Sequence, residues 1–199
     1  MGLLLAFAAP SGARTHEKPA PKCPAVRPGL LEAADAQAEV YRRPEGSGPH
    51  GAFHTATIDG CEYDHGRVYQ LGLPLKEDST GDVFGVNSPT VAGPFVAFEE
   101  VPGNEARRVR VVDLRDGRTS RTASAGIGFV TAMVVKSNGA VAWIAENVVK
   151  PSECAIYGLE SSGARVVASG PGISRYSLAL AGNTLYWTQE GKPMSATLH

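Results

Sequence analysis

Long apolar runs are missing from this chain: no stretch approaches the ~18 residues that a membrane-spanning helix requires, which excludes an internal transmembrane helix. Basic blocks are missing too. The 19 Lys and Arg are offset by 20 Asp and Glu for a formal net charge of -1, and the only adjacent arginines are Arg42-Arg43 and Arg107-Arg108. Neither nucleic acid nor an anionic membrane surface is an expected partner. Cysteine is scarce. Cys23, Cys61 and Cys154 stand too far apart for a C-x-x-C metal or redox motif, so zinc is not expected. Two thiol states fit the sequence: a Cys23–Cys61 disulfide tying an N-terminal arm to the body of an exported protein, or three unpaired thiols in a reducing compartment.

Aromatic residues are few at 7%, whereas 23 Gly and 14 Pro punctuate the chain with the rhythm of short strands. A length of 199 residues with 43% hydrophobic content suits one compact domain or two very small ones. The opening "MGLLLAFAAPSGA" has an apolar stretch at 3–9 followed by small residues Ser11-Gly12-Ala13, the pattern of a secretory h-region and cleavage site, but without a basic n-region. A plain apolar N-terminus is the competing reading. "RTHEKPAPKCPAVRPG" then reads as a Pro-rich linker. The chain therefore divides into a signal-like segment with linker, 1–28, and a folded domain, 29–199, with an extracytoplasmic location expected.

A repeat organises the domain. "VAGPFVAFEE" (91–100), "KSNGAVAWIAE" (136–146) and "LAGNTLYWTQE" (180–190) each place a Gly turn before an alternating apolar strand that ends in an aromatic and then turns acidic. With Phe98, Trp143 and Trp187 taken as equivalent, the steps are 143 − 98 = 45 and 187 − 143 = 44. A following strand carries Leu114, Leu159 and Leu198, and Asp116-Gly117 and Ser162-Gly163 supply hairpin turns in which glycine allows positive φ. An earlier, less regular copy spans "AEVYRR" (38–43) and "FHTATIDGCEYDHGRVYQLG" (53–72), its hairpin lengthened by Gly46-Ser47-Gly48-Pro49.

Repeats of ~40–50 residues made of four short strands are the signature of β-propeller blades. The expected fold is all-β, a small propeller of about four blades, with Val96/Phe98, Val141/Trp143 and Leu185/Trp187 packed between neighbouring sheets. The last copy supplies three strands. An unpaired edge there invites aggregation, so the N-terminal arm near 29–34 is expected to complete the last blade. A short helix across "LLEAADAQAEVY" is the competing reading of that arm.

"SNGAVAWIAENVVKPSECAIYGLESSGARVVASG" resembles the repeat of TolB-type, WD40-like bacterial propellers, and the resemblance extends loosely over 38–198. Ser137-Asn138-Gly139 stands where that family usually has Pro-Asp-Gly-Lys. The resemblance implies a binding scaffold outside the cytoplasm; it brings no shared catalytic set, and a fold does not fix a function.

Candidate sites are sparse. "HTATIDGCEYDHG" gathers His54, Asp59 and His65, but His54 and Asp59 differ by five positions and face opposite sides of a strand, while Asp64-His65-Gly66 reads as a turn. "KEDSTGDVFGVNS" offers Glu77, Asp78, Asp82 and Asn87 as oxygen ligands, without the spacing of a calcium loop. "AGIGF" (125–129) lacks the third glycine and helix of a dinucleotide fingerprint, and no Gly-x-Ser-x-Gly elbow occurs. No catalytic, metal or cofactor residues are therefore assigned. Trp143 and Trp187 fit core positions better than ligand platforms. Two functions remain: a non-enzymatic scaffold for a protein, peptide or glycan partner, and a small hydrolase or lyase with His54, Asp59 and His65 at the ring mouth.

Overall fold

The computed structural model describes residues 22–27, 29–44, 56–103 and 105–199. The signal-like segment, the first part of the Pro-rich linker, the Gly46-Ser47-Gly48-Pro49 loop and His54 lie outside these residues. Among the described residues the chain forms sixteen β-strands and no helix.

The strands make four antiparallel sheets that follow one another in chain order, and no sheet is closed on itself. The first contains β1 (Leu31–Ala34), β2 (Ala38–Arg43), β3 (Thr57–Glu62) and β4 (Arg67–Gly72). The second contains β5 (Lys76–Glu77), β6 (Val83–Ala92), β7 (Phe95–Pro102), β8 (Arg108–Asp113) and β9 (Arg118–Ser124). β10 (Gly128–Val135), β11 (Val141–Asn147), β12 (Glu153–Glu160) and β13 (Gly163–Pro171) form the third, and β14 (Ala179–Ala181), β15 (Thr184–Gln189) and β16 (Lys192–Thr197) the fourth.

Two-residue periodicity decides which face of each sheet meets its neighbour. Val96, Phe98 and Leu114 of the second sheet pack on Ala38, Val40 and Ile58 of the first. Val141, Trp143 and Leu159 of the third pack on Phe95, Ala97, Val109 and Val111 of the second. Leu185, Trp187 and Leu198 of the fourth pack on Ala142, Ile144 and Ile156 of the third. The aromatic and leucine positions expected from the repeat thus all point at the preceding sheet, and each buried side chain of this size contributes about 1.5–3 kcal/mol. Their fit is close: a Cβ at Gly60 in β3 would come within 2.8 Å of Leu114.

The N-terminal arm differs from expectation. β1 pairs with β2 in the first sheet, and the fourth sheet has three strands among the described residues. The reason is local. Asp35 closes a tight turn by accepting the amides of Gln37 and Ala38 at 2.7 and 3.0 Å, so β1 folds straight back onto β2. The same turn removes the helical reading of this stretch, and alternation places Ala38 and Val40 in the core.

Candidate functional site

Of the residues singled out in "HTATIDGCEYDHG", Asp59 lies on β3 of the first sheet and His65 in the turn that follows it, and the register separates them. Counting from the hairpin bonds Asp35–Ala38 and Lys136–Ala140 makes Tyr41 the counterpart of Trp143. Tyr41 pairs across with Asp59 and Glu39 with Cys61. The outward face of the first sheet therefore presents Glu39, Tyr41, Arg43, Asp59 and Cys61, where the later sheets present apolar side chains. The segment 22–27 lies against this face and is joined to it by the Cys23–Cys61 disulfide, the first of the two thiol states considered. Cys154 is a free thiol buried between the third and fourth sheets, and burial pushes its pKa up.

Asp59 is fully buried. Arg43 Nε approaches its Oδ2 to 3.2 Å and also donates to Thr57 Oγ1 at 3.2 Å, yet neither Asp59 oxygen receives a well-aligned hydrogen bond among the described residues. Tyr41 is 6% exposed, and its hydroxyl, pushed up to about 12 by burial and by the neighbouring Asp59 charge, remains protonated. His65 sits in the turn after β3, where Gly66 N donates to Glu62 O at 2.8 Å. Its ring Nδ1 is 2.7 Å from Glu62 Oε2 and its amide donates to the same oxygen. Asp59 and Glu62, three residues apart on one strand, stand on opposite faces. Asp59 and His65 thus belong to different surroundings: one lies beneath the N-terminal segment, the other braces a hairpin.

The oxygen ligands of "KEDSTGDVFGVNS" are likewise divided. Asp78 accepts from the Thr80 and Asp82 amides in a β-turn between β5 and β6, and the bonds from Thr80 hold its carboxyl below the usual range. Asn87 belongs to β6, where its Nδ2 donates to the fully buried Glu99 at 2.7 Å. Arg107 Nη1 donates to Glu99 at 3.1 Å, and the Val130 amide of the next sheet approaches the same oxygen at 3.4 Å. Glu99 is a polar rivet between the second and third sheets, and its charge is tolerable because several donors surround it. Sequence reasoning did not find it. The apolar alternation of β7 offered Phe98 as the marker and left the next residue unassigned.

A second unanticipated pattern recurs through the repeat. The last residue of the third principal strand is acidic in the first three sheets, as Glu62, Asp113 and Glu160, and each holds a base from the following hairpin. Glu62 holds His65, Asp113 accepts Arg115 Nε at 2.9 Å, and Glu160 accepts Arg165 Nη2 at 3.3 Å together with the His199 amide at 2.9 Å. The Arg115 bond holds the Asp113 carboxyl below its ordinary value. Burial pushes Glu160 up, but the His199 amide and the Arg165 guanidinium outweigh it and hold that carboxyl low. The acids were visible in "GCE", "VVD" and "GLE", one step from residues already aligned.

The described residues contain no cluster of three metal-ligating side chains. They also contain no helix long and apolar enough to cross a membrane. Compared with known proteins, the chain matches no family model and no curated protein.

Proposed function

We propose that the four sheets act as blades of a propeller-like, non-enzymatic binding scaffold that works outside the cytoplasm. The observation that carries this reading is the threefold recurrence of one packing register, Phe98, Trp143 and Trp187 each set against the preceding sheet. Such stacking makes a rigid body from which inter-strand loops project, and propellers use those loops for recognition. The Cys23–Cys61 bond supports an oxidising compartment. The TolB-type resemblance points the same way. Asp59 and His65 support it by serving the fold, one with Arg43 and the other with Glu62.

The partner class is a protein, peptide or glycan. Arrays of peptides and glycans, probed with wild type and with a His54→Ala, Asp59→Asn, His65→Ala variant, test the proposal against a hydrolase. Equal capture by both proteins supports the scaffold. Turnover of an arrayed compound by wild type that the triple variant loses overturns it. N-terminal sequencing of the mature protein tests export, with cleavage near Ala13 expected.

A further inference from the structure

A cleft of about 580 Å³ opens where the N-terminal segment crosses the first sheet. Its lining is chemically one-sided. Val26, Leu30 and Val68 supply carbon, Tyr41 and the arginines supply donors, and among the described residues no carboxylate, amide or small hydroxyl side chain lines it. Its size falls within the range of small-molecule sites. Three guanidiniums reach it: Arg42 is paired with Glu32 at 3.2 Å, Arg43 with Asp59 through Nε, and Arg27 with no carboxylate among the described residues. Tyr41, 6% exposed, brings its phenol to the wall of the cleft.

We propose that this cleft binds a small amphipathic carboxylate, its head held by Arg27 and the Tyr41 hydroxyl and its alkyl body laid against Val26, Leu30 and Val68. The charge of the lining selects an anion, because guanidinium and phenol are donors and the described lining residues include no acid. The carbon surface of Val26, Leu30 and Val68, with no side-chain amide or small hydroxyl among the described lining residues, suits an alkyl body better than a peptide with its own amides to satisfy. Two elements must come together to make the site, since Arg27 rides on the disulfide-held segment and Tyr41 on β2. This inference concerns a separate face from the loops of the scaffold reading and stands or falls independently of it.

Calorimetric titration of the full chain with sodium octanoate, and with octan-1-ol as the uncharged counterpart, tests the site. Saturable octanoate binding at least tenfold tighter than octanol is expected, since one charge-assisted contact of ~1.4 kcal/mol is worth a factor of ten. Arg27 is exposed, so Arg27→Gln leaves the fold intact; it should weaken octanoate about tenfold while octanol is unchanged. Tyr41→Phe should weaken octanoate by a smaller factor in the same direction. Equal affinity for acid and alcohol, octanoate binding unaffected by Arg27→Gln, or the absence of saturable octanoate binding would each overturn the proposal.

Discussion

The two tryptophans occupy the same place in the repeat but differ in one bond, and that difference can be measured. Trp143 Nε1 donates to Ala125 O at 2.8 Å, whereas the buried Trp187 Nε1 has no hydrogen-bond partner among the described residues. Trp143→Phe leaves a carbonyl unpaired and should cost about 1–3 kcal/mol beyond the change in packing. Trp187→Phe discards an orphan donor, so its destabilisation in urea unfolding should be at least about 1 kcal/mol smaller. Truncation to alanine at Trp143, which is fully buried, should cost about 3–5 kcal/mol, while Tyr176→Ala, at a position 73% exposed, should stay within about 0.5 kcal/mol of wild type. Equal losses at Trp143 and Tyr176 would mean that the aromatic repeat does not carry the core.

Among the elements, the hairpins and the N-terminal segment make the sharpest claims. The Asp113–Arg115 bond depresses an acid. A carboxyl whose folded pKa lies below its unfolded value of ~3.9 contributes stability that is complete above that value and is lost as pH falls through the folded pKa. Urea midpoints should therefore drop below about pH 4, and Asp113→Asn should flatten part of that drop. Cys23→Ser should lower stability by about 2–4 kcal/mol, because the bond closes a 38-residue separation in the unfolded chain. Unreduced, denatured protein should titrate one thiol per chain, from Cys154. Three thiols would place the chain in the other cysteine state. Much at this scale was legible in the sequence: Asp116-Gly117, the Gly139 turn and the strand carrying Trp143 all signal themselves through glycine and alternation, and Gly139 has a φ of +78°. The β1–β2 hairpin was less so, since its turn is made by an Asp side chain and good helix formers surround it. The Arg27–Tyr41 cleft left no local signal. It joins positions that only the disulfide and the register of β2 bring together.

At the scale of the molecule, sequence periodicity predicted four similar units, and four sheets are present, stacked through three apolar interfaces. Short polar ties accompany the apolar contacts. Asp35 accepts the Gly93 amide at 2.6 Å, Arg121 donates to Asn138 O at 3.1 Å, and Lys136 Nζ donates to Asn183 at 2.7 Å, so each sheet is linked to the next at a hairpin. Lys136 also reaches Leu198 O, which binds the last strand to the third sheet. The outer faces break the apolar pattern: that of the first sheet carries Glu39 and Arg43, with the N-terminal segment 22–27 laid over the buried Asp59, and the far side of β15 and β16 carries Thr184, Tyr186, Thr188, Ser195 and Thr197. A pile of like plates with greasy surfaces top and bottom would keep adding plates head to tail and grow into fibres. Hydroxyls at one end and charges at the other make such polymerisation unfavourable, and light scattering should find short species even in concentrated solution. Replacing Tyr186 and Thr188 with leucine would remove that brake and should start elongation.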